Sequence, residues 1–452
     1  MQGSKATQLF EKAPISQAVL KSALPAMAAM LMMLIYNLAD TFFVGQTHDA
    51  YQVAAVSLAM PVFLMFMAVG TVFGMGGTSV ISRALGQGRT DYAQKVCSFC
   101  MWGCVVVGVI MAALFLLFME PILTLVGASK STWEYTKSYL TIVSIGGPFV
   151  LISNAFSNIV RAEGKSTEAM MGQLTGNLLN VILDPIMILG LGWNITGAAI
   201  ATVVGNVAGA CYYILYFVCG KSALSVSIKA LHQKENACGP VCAIGIPAAL
   251  GSILMSVSQI IINTQLTKYD DMAVAGMGVA LKVVTITGMV CMGLGQGVQP
   301  LLGYCVGAKL WERFKKAFRF SMLFSLILGI VLTAVCYLFT NQIVRAFLTD
   351  AAAYSYAVEF SRILLTTSFL FGAFYVLINA LQAMGAATPA LIINLSRQGI
   401  IFIPALFILQ ATIGINGLIW AQPVADILSI GLAVILYLRV SRKMMLQNKS
   451  AT

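Results

Sequence analysis

Charge is scarce in this chain. Asp, Glu, Lys and Arg make up 10% of its 452 residues, against 59% hydrophobic residues. With a mean hydropathy of +0.89, no soluble domain of this length could keep so much apolar surface from water. The class is a polytopic membrane protein. Histidine is nearly missing: only His48 and His232 occur, and no His-Glu zinc-protease motif exists. Gly164-Lys165-Ser166 ends like a phosphate loop, but Ile159 stands where the upstream glycine is needed. No loop is long enough for a soluble catalytic domain, so no enzyme activity, resident metal or cofactor is expected. The ten cysteines carry no disulfide signal, since most lie in apolar segments. Cys97-Ser-Phe-Cys100 with Cys104 has no histidine or acid nearby and is expected to pack rather than bind metal. The first apolar run is too long for a signal-peptide core, so it is expected to be retained.

What is present is hydrophobic length. Apolar stretches able to cross a bilayer fall near 15–46, 52–83, 93–119, 134–160, 167–191 and 194–219. Six more fall near 238–267, 273–306, 317–340, 355–382, 388–412 and 415–438. The expected architecture is therefore all-α, with twelve transmembrane helices in two six-helix lobes, 1–220 and 238–452. The polar segment 221–237 would link them. The net charge of +11 does not argue for nucleic acid, because the cations gather in short inter-span segments. Twenty of the 27 Lys and Arg residues fall in the two tails and alternate loops, among them Lys5, Lys221 and Lys234. Only five fall in the other loops. Both termini are accordingly expected in the cytoplasm.

The two lobes repeat one pattern at an offset of 221 residues. Arg161-Ala-Glu-Gly-Lys-Ser-Thr-Glu-Ala169 sits over Gln382-Ala-Met-Gly-Ala-Ala-Thr-Pro-Ala390, Gly86 over Gly307 and Asn158 over Asn379. Pro25 falls on Pro247 with a one-residue slip. Parallel repeats of six spans predict a pseudo-two-fold axis along the membrane normal, as in many secondary transporters.

Five charges lie inside spans: Asp40, Asp184, Lys282, Arg397 and Asp426. Each would cost roughly 2.5–3.5 kcal/mol at a helix centre, so each needs a role. Asp40 and Asp184 are expected at matching depth in the outer half of the membrane. Asn180 lies one turn before Asp184 and Tyr36 one turn before Asp40. Asn154, Asn158, Asn177 and Thr202 add oxygens from the same half. Carboxylate, amide and hydroxyl oxygens suit a small hard cation, and burial would equally favour proton uptake. The repeat carries Ile261 or Ile262 opposite Asp40 and Ala405 opposite Asp184, so coupling should belong to the first half alone. In the second half Asp426 is expected to pair with a cation, Lys282 first and Arg397 second. The 24 methionines and the aromatics suit either packing or an adaptable binding surface.

Three segments resemble one family. Tyr36-Asn-Leu-Ala-Asp-Thr-Phe-Phe-Val-Gly45, Gly176-Asn-Leu-Leu-Asn-Val-Ile-Leu-Asp-Pro185 and Gly197-Ala-Ala-Ile-Ala-Thr202 are similar to the first-, fifth- and sixth-helix signatures of the multidrug and toxic compound extrusion (MATE) exporters. The likeness runs over essentially the whole chain and is nearest the bacterial MepA-like and DinF-like branch. It implies a monomeric, multi-pass protein of the bacterial cell membrane that expels cationic amphipathic compounds in exchange for H⁺ or Na⁺. It also implies a coupling site on Asp40, Asn180, Asp184 and Thr202, with Tyr36, Asn154 and Asn158 nearby. The alternative within transport is a related flippase for lipid-linked saccharides, in which Lys282 and Arg397 would meet a pyrophosphate. A membrane-embedded enzyme is the remaining alternative.

Overall fold

The computed structural model describes residues 8–46, 49–220, 222–232, 235–348 and 351–449; Lys5, His48, Lys221 and Lys234 lie outside these. Among the described residues there are helices and no β-strand. Lipid offers no hydrogen bonds, so each span must satisfy its own backbone, and a helix does this within one segment. In the first half the helices are α1 (Ile15–Gly45), α2 (Ala50–Gly86), α3 (Thr90–Leu117), the short α4 (Met119–Leu125), α5 (Trp133–Ala162), α6 (Ser166–Asp184) and α7 (Asn194–Val218). The second half holds α8 (Cys238–Leu266), α9 (Asp271–Gly307), α10 (Trp311–Leu338), the short α11 (Thr340–Phe347), α12 (Ala351–Ser368) and α13 (Phe371–Ala383). It ends with α14 (Ala387–Leu395), α15 (Phe402–Ile413) and α16 (Ile415–Lys449).

The duplication reaches the helix ends. The starts of α3 and α10, α4 and α11, α6 and α14, and α7 and α16 each lie 221 residues apart. Asp49 caps α2 by accepting the Tyr51 N–H at 2.9 Å, and Asp270 caps α9 through the Met272 N–H at 3.0 Å. An aspartate here takes up one of the N–H groups that a first turn leaves without an internal partner. Gly164 and Gly385 close α5 and α13 at φ of 75° and 76°, in the left-handed region that glycine enters without steric cost.

Ten described helices are long and apolar enough to cross a membrane, or eleven if α12 and α13, bent by 48°, form one span. That falls short of the twelve expected. The remaining expected span is α6 with the wide π-helical turn Pro185–Gly190 that continues it. Gln173, Asn177, Asn180 and Asp184 recur along α6 at helical spacing, and this polar stripe lowers its apolarity. The expected tenth span is likewise not one straight helix.

The chain divides into two compact units. Of the described residues, one holds Ala28–Gly245 with residues 8–11, and the other holds Lys12–Met27 with residues 246–449. Composition places the boundaries at 220 and 238. The units instead divide within the proline-bearing helices α1 and α8, close to Pro25 and Pro247. Proline removes one ladder hydrogen bond and lets a helix change course. The segment expected as a linker belongs to the first unit and is tied down. The Glu163 carboxylate accepts from the Ser222 hydroxyl (2.7 Å) and the N–H groups of Ala223 (2.7 Å) and Leu224 (3.1 Å). Gln94, Ser98 and Trp102 of α3 donate to the carbonyls of Ala223, Ser225 and Val226.

In the first unit α5 packs against α2, α3 and α7, and Cys97, Cys100 and Cys104 are buried in this apolar core. In the second unit α9, the repeat of α2, packs likewise against α12 and α13, which repeat α5.

Candidate functional site

The polar stripe of α6 ends at Asp184, immediately before Pro185. Asp184 is fully buried, and Asn180 and Thr202 are 2% and 3% exposed. The Asn180 amide nitrogen donates to the Thr202 hydroxyl at 3.4 Å, which joins α6 to α7. Tyr36 from α1 and Tyr139 from α5 lie beside Thr202 and within electrostatic range of Asp40 and Asp184. Asp40 and Asp184 also lie within range of each other. Four helices thus deliver two carboxylates, one amide and three hydroxyls to one place.

The hydrogen-bond balance of this cluster is one-sided. Both carboxylate oxygens of Asp184, one of Asp40 and the Asn180 amide oxygen are buried without a hydrogen-bond partner. Buried polar atoms are almost always paired, so a group of orphaned acceptors asks for a donor or a cation. Among the described residues no Lys or Arg forms an ion pair with either acid. The donor set is oxygen only, which fits a proton or a small hard cation.

Among the described hydrogen bonds, Asn154 and Asn158 form none with Asp40, Asp184 or Thr202. Asn154 donates to the Met67 carbonyl (2.8 Å) and the Thr71 hydroxyl (3.2 Å), holding α5 to α2. Asn158 accepts from Arg161 at 3.1 Å, and Arg161 also donates to Gln173 at 3.1 Å. Both expected coupling residues are thus engaged with helix neighbours, Asn154 with α2 and Asn158 with Arg161 of its own helix. Tyr139 is the member that sequence reasoning missed. It has no charge to flag it, and only the packing of α5 against α7 brings it to Thr202.

The second unit resolves the choice of partner for Asp426. The Arg397 Nε donates to Asp426 at 2.7 Å, with side-chain exposures of 11% and 1%. Gln422 donates to the same oxygen at 2.9 Å and Thr367 to the other at 3.2 Å. The Arg397 guanidinium also stands over the rings of Phe371 and Phe374, at 4.9 and 4.5 Å. Lys282, expected first, stands over Phe347 at 5.0 Å instead. Thr367 precedes the bend between α12 and α13, and Phe371 follows it, so the pair holds both sides of the broken span.

The MatE family model matches residues 25–186 and again residues 247–408. The multidrug export protein MepA of Staphylococcus aureus (strain MRSA252) is 32% identical over 430 residues, 95% of each chain. The protein of the same name from Staphylococcus haemolyticus is 32% identical over 417 residues, 92% of each chain. Among solved structures, an outward-facing multidrug resistance MATE family transporter of the MOP superfamily superposes with a TM-score of 0.92. It is 21% identical, covering 99% of this chain and all of that one. A MOP superfamily transporter from Pyrococcus furiosus, described as having a binding pocket of reversed polarity, superposes with a TM-score of 0.91 at 21% identity. It covers 98% of this chain and 99% of that one. The duplicated match, the relatives spanning nearly all of the sequence and the shared fold lead to one conclusion: this chain belongs to the MatE family of membrane transporters.

Proposed function

We propose that this protein is a secondary active multidrug exporter that expels cationic amphipathic compounds in exchange for H⁺ or Na⁺. The observation that carries the coupling site is the set of orphaned buried oxygens on Asp40, Asn180 and Asp184. An entering cation would be held by these acceptors, with the hydroxyls of Thr202, Tyr36 and Tyr139 completing the set. The Asn180–Thr202 bond and Pro185 fix the end of α6, so the Asp184 carboxylate is aimed before an ion arrives. Exchange follows if the cluster holds its cation in one conformation of the transporter and releases it in the other.

The second unit has no counterpart of this site, since Ile261 and Ala405 occupy the repeated positions. Coupling is accordingly assigned to the first unit. The Staphylococcus relatives are named as multidrug export proteins, and the same activity is inferred for this chain. The saccharide-flippase alternative loses one of its two cations, because Arg397 is engaged by Asp426. The protein is read as a monomer in the bacterial cell membrane with both termini in the cytoplasm, and it takes no nucleic acid partner.

The experiment is dye efflux from proteoliposomes under H⁺ and Na⁺ gradients imposed separately. We expect a pH gradient alone to drive export. Export driven by Na⁺ at equal pH, with none from a pH gradient, would assign the site to Na⁺. Absence of export under both would overturn the antiport reading.

A further inference from the structure

A cavity of about 500 Å³ lies in the second unit, between α12 and the start of α16, apart from the groups described above. Tyr354, Ser355, Glu359, Arg362, Asn416 and Trp420 line it. Glu359 and Arg362 are one helical turn apart in the same cavity, yet they form no ion pair with each other. Glu359 instead accepts from the Asn416 amide at 2.8 Å. Arg362 stands over the Tyr337 ring at 5.8 Å. Each charge thus has a neutral partner and remains open to a ligand of opposite sign. Glu359 lies inside the expected tenth span, and the sequence reading did not count it among the membrane charges.

Position identifies the ligand. The lining residues lie in the first turns of α12 and α16, where the expected tenth and twelfth spans begin, and Trp420 and Tyr354 are the residue types enriched at the headgroup level. Along α12 the acid lies nearer the membrane face and the base one turn, about 4.5 Å, nearer the hydrocarbon core. A phospholipid carries its charges in the same order. Its phosphate is bonded to glycerol on the acyl-chain side, and its ammonium projects outward on a two-carbon arm. The guanidinium fork suits a phosphate, and the carboxylate suits an N–H donor. At the repeat positions of Glu359, Arg362 and Trp420 the first half has Ser138, Thr141 and Ala199. The charged pair is therefore not a general part of the fold.

We propose that this cavity binds the headgroup of a phosphatidylethanolamine-type lipid, with Arg362 on the phosphate and Glu359 on the primary ammonium. An ammonium with N–H bonds can donate to Glu359, whereas a trimethylated one cannot. The wild-type protein should retain phosphatidylethanolamine about tenfold more strongly than phosphatidylcholine when lipid adducts are counted by native mass spectrometry. N-methylated and N,N-dimethylated intermediates should fall between them in order. Glu359→Gln should erase the preference while leaving total lipid retention similar, and Arg362→Gln should weaken retention of both lipids. Equal wild-type retention across the methylation series would overturn the proposal, as would an undiminished preference in Glu359→Gln. The methylation series needs no variant, so it decides the matter even if a substitution impairs folding. None of these readouts depends on transport or on the coupling ion.

Discussion

The two halves place opposite solutions at the same repeat positions. Gly176 and Gly205 lie 221 residues before Arg397 and Asp426. In the first unit these glycines let α6 and α7 touch: a Cβ on Gly176 would stand 2.7 Å from the Gly205 carbonyl oxygen, and one on Gly205 equally close to the Gly176 carbonyl. In the second unit the same two positions carry a buried ion pair. The reverse exchange occurs at the acids. Asp40 and Asp184 are orphaned in the first unit, and their counterparts are Ile261 and Ala405. The same repeat contact is a bare backbone approach in the unit that keeps its acids unpaired, and a neutralised charge pair in the other. A buried charge is informative only with its partners: Asp426 has three donors, whereas both Asp184 oxygens have none.

The sharpest way to break this contrast is to remove the acids one at a time. Asp40→Asn and Asp184→Asn should each abolish gradient-driven efflux from proteoliposomes, with expression and thermal stability near normal, because no partner cation is left unpaired. Wild-type efflux in both variants would remove the coupling role from the first unit. Asp426→Asn should behave differently. It leaves Arg397 buried and unpaired, at a cost of about 3–5 kcal/mol, read as a lowered melting temperature. Adding Arg397→Met should recover much of that loss, whereas adding Lys282→Met should recover none. Rescue by Lys282→Met would show that the pair is not as the geometry has it.

Smaller effects test the glycine side. Gly205→Ala should destabilise by about 1–3 kcal/mol, since the methyl group meets the backbone of α6 rather than a side chain that can move. A melting temperature equal to that of the wild type would mean that α6 and α7 separate at no cost. The smallest effect lies at the turn after α2 and its repeat after α9. Gly88 takes a φ of 74°, and at the same repeat position Lys309 takes 58°. The left-handed region costs a non-glycine residue roughly 1–2 kcal/mol. Lys309→Gly should therefore stabilise the protein slightly and Gly88→Ala should destabilise it, because a Cβ on Gly88 meets nothing and only its φ is strained. A thermal melt comparing the two, with opposite signs expected, checks this.

Much of the architecture was legible in the sequence because its causes are local. Hydrophobic length acts within each span, and a 221-residue offset repeats motifs such as Gly164 and Gly385. The membrane class and the two halves follow from these, and the family from the segments Tyr36–Gly45, Gly176–Pro185 and Gly197–Thr202. The acids Asp40 and Asp184 were legible too, since charge in an apolar run stands out on its own. Tyr139 was not, because a tyrosine in a membrane helix carries no mark until α5 is packed against α7. Asn154 and Asn158 were drawn into the site by their chemistry, and their partners Met67, Thr71 and Arg161 were not legible without the packing.

Only the tertiary structure decided which cation meets Asp426. Lys282 and Arg397 have similar expected depths, and depth is all that a sequence offers. The choice depends on which face of α9, and of the wide turn Ser396–Ile400 that follows α14, is turned toward α16. Arg397 wins because it can bond Asp426 and stack on Phe371 and Phe374 together. The division of α1 and α8 at Met27 and Gly245 was hidden for the same reason. Pro25 and Pro247 mark where those helices can change course, but which unit each stretch joins depends on contacts hundreds of residues away. In the molecule, spacing along the chain set which groups are near in depth, and helix packing set which of them touch.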